Sequence, residues 1–201
     1  VNDFMGRYAE GHPNSSKEDH RYYEGTRYID QIESMATMEI IKLAKCLQAD
    51  VRPISGNAAN TAVALAVLRG NDTVIANSIE VGGHISHSPI GVVGRRIQVR
   101  GKALTLGREN SINIHYWPTT EDGYHLDVPK CVDLVEQKSP NMVILGKSLF
   151  LFPEPVSEIA EVCRAKNIPL LYDGAHVLGL IFGGQFQNPI EEGAHFINGS
   201  T

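Results

Sequence analysis

The chain has 201 residues, 42% of them hydrophobic and 20% charged, which is ordinary for a globular protein with one sizeable core. A formal net charge of -5, without a local basic patch, gives no general attraction to nucleic acid, and no apolar stretch approaches the roughly 18 residues that a membrane span needs. The three cysteines show no zinc-like spacing and indicate thiols in a reducing compartment, so we expect a cytoplasmic protein.

The first predicted elements are a long helix and a strand-turn-helix unit. Apolar residues recur at three- and four-residue steps from Ile29 to Leu47, which predicts an amphipathic helix that begins near Gly25-Thr26. A short extended segment, residues 51–54, then leads through the turn Ser55-Gly56-Asn57 into a buried helix over residues 58–68.

The rest of the chain alternates strand-like and helix-like segments. Helices are predicted from Asp127, with Pro129 in the first turn, and over residues 156–166. The polar stretch at residues 12–20 is the most loop-like. The candidate strands are short apolar runs at residues 73–76, 97–99, 112–116, 142–145, 168–172 and 195–197. This alternation predicts an α/β fold with a mostly parallel sheet and helices on both faces.

The turn at Ser55, Gly56 and Asn57 is the first candidate binding site. Ligands of open α/β sheets bind at the carboxyl ends of the strands, so the residues that follow each strand are the ones to examine. A helix that opens on a glycine turn offers unpaired N–H groups and a positive dipole end to a phosphate. The same three residues also fit a simple helix cap at a tight turn.

Two further candidate sites follow later strands. Asp173 comes directly after an apolar strand, so its carboxylate could pair with a protonated pyridine nitrogen, or it could cap the next turn. His84, after Gly82-Gly83, could lay its ring against an aromatic cofactor. His84 and His87 have an H-x-x-H spacing, but no third ligand stands at a recognisable spacing, so we expect no metal site and interpret His87 as an exposed loop residue.

Two N-terminal motifs combine aromatic residues with glutamate beside glycine. They read Tyr8-Ala9-Glu10-Gly11 and Arg21-Tyr22-Tyr23-Glu24-Gly25. Such residues can transfer protons or bind a substrate carboxylate, but aromatic residues beside a helix start also serve packing. The motifs alone leave both interpretations open.

Taken together and in this order, these segments resemble the serine hydroxymethyltransferase family, fold-type-I enzymes that use pyridoxal phosphate. The family pattern runs YAEGYPG, RYYGG, a long helix, SGSxAN, GGHLTHG and D-x-AH-x-x-GL. Here the segments are YAEGHPN, RYYEG, SGNAAN, GGHISHS and DGAHVLGL, over nearly the whole chain. The resemblance implies an aspartate aminotransferase-like large domain over residues 49–201, after an N-terminal arm and long helix over residues 1–48.

The resemblance also implies a role for each motif. The cofactor would be held by Ser55, Gly56 and Asn57 at its phosphate, His84 against its ring, Asp173 at its ring nitrogen, Ser148 and His176 at the ring oxygen and substrate side, and Ser200 beside them. Tyr8, Glu10 and Tyr23 would reach the neighbouring subunit's site in a homodimer. There Glu10 would serve proton transfer and pterin binding, and Tyr23 would touch the substrate.

The activity implied is the interconversion of serine and glycine, with a tetrahydropterin as one-carbon acceptor. Two alternatives stay open, the first of them because the chain departs from the family pattern at Gly11-His12-Pro13-Asn14, at Glu24 and at residues 146–150. One is a pterin-independent aldolase or lyase that acts on a β-hydroxy amino acid. The other is a noncatalytic homologue with the same fold.

The family pattern continues TTTTHK, and its lysine carries the cofactor. This sequence begins at Val1 and stops at Asn198-Gly199-Ser200-Thr201, which aligns with the threonine run before that lysine. None of its lysines stands at the equivalent position. We therefore expect both ends to be cuts within a longer chain, and the fragment to be inactive alone.

Overall fold

The computed structural model describes residues 6–12, 21–95 and 111–200. The predicted strand at residues 97–99 and most of the predicted loop at residues 12–20 lie outside the described residues. The chain divides into two compact units, Val1–Pro53 and Ile54–Thr201. The domain boundary expected between residues 48 and 49 stays a prediction.

The first unit contains helix α1 (Arg27–Ala44), so the predicted long helix is confirmed. Lys45 ends it in the left-handed conformation, with φ of 52°, and the helix closes before Leu47, which is 98% exposed. Apolar side chains such as Ile32 and Leu43 remain more than half exposed. Neither α1 nor any other helix in the part of the chain that the structure describes is long and apolar enough to cross a membrane.

The second unit is built on a parallel sheet. Its regular elements in chain order are α2 (Gly56–Val67), β1 (Thr73–Ala76), β2 (Asn113–Tyr116), α3 (Val128–Lys138), β3 (Met142–Leu145), α4 (Val156–Lys166), β4 (Leu170–Asp173), α5 (Leu178–Phe182) and β5 (Phe196–Asn198). The five described strands lie in the order β2-β1-β3-β4-β5, and neighbouring strands pair in parallel. The predicted α/β class is confirmed.

Alternate side chains of the central strands divide the core between the two faces of the sheet. Every residue of β3 and β4 is buried, as parallel strands covered on both sides require. Val143 and Leu145 belong to a cluster with residues of α3 and α4, whereas Met142 and Ile144 belong to a cluster with residues of α2. The period of two along each strand thus assigns helices to both faces.

The prediction of a strand at residues 51–54 is wrong, because this segment forms no regular secondary structure. Pro53 has no N–H to donate to a neighbouring strand, and Ile54 is 96% exposed. The segment therefore has neither the hydrogen bonds nor the burial that would hold it in the sheet.

Three polar residues and a glycine lie at the edge of the sheet where the parallel strands end. Asn77 follows β1, Gly146 follows β3, Asp173 ends β4 and Asn198 ends β5. Gly146 has φ of 108°, and a Cβ there would overlap the carbonyl oxygen of Asp173. The close approach of the two strand ends therefore requires glycine at this position.

Leu145→Ala should lower the free energy of unfolding by about 2–5 kcal/mol, because Leu145 is fully buried and its truncation leaves a cavity. A urea titration followed by Trp117 fluorescence measures the change, since Trp117 is buried and its Nε1 donates to the Ile144 carbonyl 2.8 Å away. Leu151→Ala is the control, because Leu151 is 67% exposed, and it should change the value by less than about 0.5 kcal/mol. Equal losses in the two variants would contradict the core position of Leu145.

Candidate functional site

Asp173 is the buried carboxylate at the centre of the strand-end edge. Its Oδ2 accepts a hydrogen bond from Asn60 Nδ2 at 2.8 Å and lies 2.8 Å from His87 Nε2. Its Oδ1 accepts from the backbone N–H of Ala175 at 3.1 Å. One carboxylate oxygen is thus held by two side chains, while the other has a single backbone donor among the described residues.

Asn60, in α2, connects the elements that meet at this edge. Its Nδ2 also donates to Ser86 Oγ at 2.9 Å, and its Oδ1 accepts from Nδ2 of Asn198 at the end of β5. The side chain is buried, so each of these polar atoms depends on its protein partners. Asn60 thereby fixes α2 against β4, β5 and the loop that carries the histidines.

His84 and His87 lie on a loop that two short 3-10 turns, Ile79–Val81 and Ile85–His87, bring to the same edge. His84 Nδ1 lies 2.6 Å from Ser86 Oγ and also accepts the backbone N–H of Ser86. Because Nδ1 acts as the acceptor, Ser86 orients the half-buried His84 ring. Asn60 therefore holds Asp173 directly and His84 through Ser86.

The interpretation of His87 as an exposed loop residue is wrong, since its side chain is 0% exposed. Its Nε2 donates to Asp173, and its Nδ1 has no partner among the described residues. The sequence could not show this contact because the two residues are 86 positions apart. The feature of the sequence that could have pointed to His87 as a site residue is its position as the second histidine of the GGHISHS motif.

The network favours the ionised form of Asp173. Burial is the largest influence and opposes ionisation, but the hydrogen bond and charge of His87, with the hydrogen bonds from Asn60 and Ala175, lower the pKa of Asp173 below its usual range. Burial, and then the neighbouring His87, lower the pKa of His84, which favours a neutral ring. This edge of the sheet therefore presents the anionic carboxylate of Asp173 near the neutral imidazole of His84.

The donor atoms of His84, His87 and Asp173 lie within 4.8 Å of one another, a spacing that a metal could use. Hydrogen bonds within the network already account for the closest of these contacts, between His87 and Asp173. The absence of a metal from this site stays a prediction.

The start of α2 is the place where the sequence predicts a bound phosphate. Ser55 Oγ accepts the backbone N–H of Ala58 at 3.1 Å, so Ser55 caps the helix as the simpler interpretation requires. A Cβ on Gly56 would lie 3.3 Å from Ala175 Cβ, which places the helix start beside the turn that follows Asp173. Ser55 and Asn57 are exposed, so an anion could reach the remaining N–H groups of this first turn.

Three other residues that were predicted to bind the cofactor follow the ends of β3, β4 and β5, but their side chains do not join the described hydrogen bonds around Asp173 and Asn60. The backbone N–H of Ser148 donates to the Gly82 carbonyl at 2.8 Å, which joins the loop after β3 to the loop of the histidines. His176 and Ser200 are exposed, after β4 and β5. No described hydrogen bond joins the side chains of these three residues to Asp173 or Asn60.

A second polar cluster lies after β1 and β3, and sequence reasoning missed it. Lys147 and Glu154 form a buried ion pair at 3.2 Å, and Lys147 Nζ also donates to the Tyr124 carbonyl at 3.0 Å. Asn77 Nδ2 donates to the Gly146 carbonyl at 3.2 Å. Burial raises the pKa of Glu154, although Lys147 opposes the shift. The cluster anchors the backbone on both sides of Ser148.

The N-terminal motifs contact each other within the first unit. The Tyr8 and Tyr23 rings have centroids 5.2 Å apart, and Glu10 is exposed. Arg21, which sequence reasoning did not single out, contacts residues of both the arm and α1. The structure thus brings together the two motifs that were predicted to touch the substrate.

Asn60→Ala should lower the free energy of unfolding by about 2–5 kcal/mol, because several buried groups lose their partner and each unsatisfied group costs about 1–3 kcal/mol. Urea titration measures this value. Asn57→Ala, at an exposed position of the same helix, should stay within about 0.5 kcal/mol of wild type. Similar values for the two variants would show that the Asn60 network contributes no stability.

Ionised Asp173 should stabilise the protein above its unfolded pKa of about 3.9, and this contribution should be lost as pH falls through its lower native pKa. Asp173→Asn cannot titrate, so its stability should fall less steeply across this acid range. Urea unfolding over a pH series measures the slope, with exposed Asp133→Asn as the control. An unchanged slope in Asp173→Asn would contradict the lowered pKa.

The chain is similar to known proteins along nearly its whole length. The family model for serine hydroxymethyltransferase matches residues 2–201. The chain is 41% identical over 201 residues to serine hydroxymethyltransferase of Pyrobaculum arsenaticum and 44% identical over 205 residues to that of Methanopyrus kandleri, covering 100% of this chain and 42% of each relative. The protein of the same name from Pyrococcus abyssi is 40% identical over 198 residues, covering 98% of this chain and 42% of the relative. The chain belongs to the serine hydroxymethyltransferase family.

Proposed function

We propose that the protein transfers a one-carbon unit between serine and a tetrahydropterin, with pyridoxal phosphate as cofactor. The chain spans about 42% of the length of the curated relatives it matches, and the activity proposed is that of the whole protein. The observation that carries the proposal is the buried Asp173 carboxylate, which two side chains hold in its ionised form at the carboxyl edge of a parallel sheet.

The residues at this edge fit pyridoxal phosphate. Oδ1 of Asp173 has a single described donor and can accept another N–H, as a protonated pyridine nitrogen offers. The exposed first turn of α2 can accept the phosphate, and the half-buried His84 ring can lie against an aromatic face. When bound, the cofactor supplies a conjugated ring that takes up electron density from the α-carbon of an amino acid.

Each residue then has a definite task. Asp173 would hold the proton on the ring nitrogen of a bound cofactor, because its negative charge would stabilise the cationic ring. Ser55, Gly56 and Asn57 would bind the phosphate, while Ser148, His176 and Ser200 would complete the polar contacts near the ring. The loop after β3 sets the position of Ser148, and the buried Lys147–Glu154 pair keeps that loop in place.

The N-terminal residues would complete the substrate side. We propose a homodimer in which Tyr8, Glu10 and Tyr23 serve the neighbouring subunit's site, with Glu10 as the residue that moves a proton. A cytoplasmic location also stays a prediction, with which the unpaired state of Cys46, Cys131 and Cys163 agrees.

A serine-cleavage assay on the full-length protein tests the proposed reaction. With pyridoxal phosphate supplied, cleavage should depend on added tetrahydropterin, and the protein should be yellow and lose that colour on borohydride reduction. Cleavage that proceeds equally without pterin would instead identify a pterin-independent aldolase or lyase. A colourless, inactive protein would identify a noncatalytic homologue.

Asp173→Asn in the full-length protein should lower kcat roughly 10- to 100-fold, because a hydrogen bond to a charged partner contributes about 1.5–3 kcal/mol. Asp133→Asn, exposed on α3, is the matched control and should leave kcat unchanged. Normal turnover by Asp173→Asn would show that Asp173 does not support the ring nitrogen.

A further inference from the structure

We propose that Arg21 is a positioning residue that fixes Glu10 against the start of α1. This inference rests on the proposed role of Glu10 in proton transfer. The carbonyl oxygens of Ala9 and Gly11, on either side of Glu10, both accept hydrogen bonds from the same nitrogen, Nη1 of Arg21. A single guanidinium therefore holds the backbone at both neighbours of the exposed Glu10 side chain.

The other nitrogens of Arg21 attach this contact to a rigid element. Nε donates to Asp30 Oδ1 at 2.8 Å, and Nη2 donates to Glu33 Oε2 at 2.8 Å. Both acceptors lie in the first two turns of α1, and Thr26 Oγ1 donates to the second oxygen of Asp30 at 3.1 Å. Arg21 therefore joins the segment around Glu10 to the first two turns of α1.

Arginine is required here by geometry rather than by charge alone. The Arg21 side chain is 9% exposed, and its four described partners lie around one planar guanidinium. Lysine would keep the positive charge but places its three N–H groups on one atom, so it cannot reach two carboxylates and two carbonyls at separate positions. Arg21→Lys should therefore release the segment around Glu10 from α1, although the net charge of the protein stays the same.

A contact between two aromatic rings joins the motif that contains Tyr23 to the motif that contains Glu10. The Tyr8 ring, two residues before Glu10, lies with its centroid 5.2 Å from that of Tyr23, two residues after Arg21. Arg21 holds the backbone at both neighbours of Glu10, and the Tyr8–Tyr23 contact lies two residues before Glu10, so these contacts connect the three proposed substrate residues within the first unit. Loosening Arg21 should thus affect the placement of Glu10 more than the fold of the second unit.

A double-mutant cycle in the full-length protein tests whether Arg21 acts through Glu10. Arg21→Lys should lower kcat for pterin-dependent serine cleavage roughly 10- to 100-fold, since small displacements of a reacting group have effects of this size. In a Glu10→Gln background the same change should lower kcat less than about twofold, because the group that Arg21 positions is already absent. Arg27→Lys is the matched control at an exposed position, and it should leave kcat unchanged.

An equal loss from Arg21→Lys in both backgrounds would overturn the proposal, since it would reveal a general structural role. An unchanged kcat in Arg21→Lys would overturn it as well. If Arg21→Lys fails to fold by circular dichroism, Glu33→Gln takes its place, because that change removes one anchor and leaves the guanidinium. Glu33→Gln should give a smaller loss of kcat, which also disappears in the Glu10→Gln background.

Limited proteolysis separates this inference from the proposed function. Arg21→Lys should raise the rate of cleavage between Glu10 and Gly11 by a glutamate-specific protease at least about tenfold relative to wild type, whatever the enzymatic activity, because the backbone on both sides of Glu10 is released. Arg27→Lys should leave this rate unchanged. A wild-type protein without serine cleavage would contradict the proposed function alone, whereas an unchanged rate of proteolysis in Arg21→Lys would contradict the positioning role alone.

Discussion

The amide of Asn60 is the contact on which the site depends. Its Nδ2 donates to Asp173 and to Ser86, which in turn orients His84, and its Oδ1 accepts from Asn198. A buried carboxylate stays ionised only where hydrogen bonds and neighbouring dipoles replace the water it has lost. Asn60 and His87 supply that replacement, so the charge of Asp173 and the orientation of the His84 ring have a common origin.

The parallel sheet explains why these distant residues can meet. β4 and β5 are neighbours, and the helix that carries Asn60 packs on the face formed by Met142, Ile144 and Leu171. Glycine at position 146 allows the end of β3 to approach Asp173 closely. The apolar core thus fixes the spacing of the strand ends, and polar side chains that extend from those ends form the site.

Local patterns predicted most of the fold, whereas contacts between distant segments escaped prediction. Short apolar runs identified all five described strands, and Asp127 with Pro129 marked the start of α3. The segment around Pro53 was misinterpreted because its apolar residues have no partner strand. Asp173 and His84 stood out beside their strand and glycines, but the burial of His87 and the hub role of Asn60 depend on tertiary packing. The feature of the sequence that could have indicated the role of Asn60 is its position as an asparagine within the apolar helix segment ANTAVALAV.

The most direct test of the account is the protonation state of the pyridine nitrogen in the full-length protein loaded with nitrogen-15-labelled pyridoxal phosphate. If Asp173 is an ionised partner held by Asn60 and His87, the ring nitrogen should give the NMR chemical shift of a protonated pyridine at neutral pH, and that shift should be lost in Asp173→Asn. A ring nitrogen that is unprotonated in the wild-type protein would contradict the account.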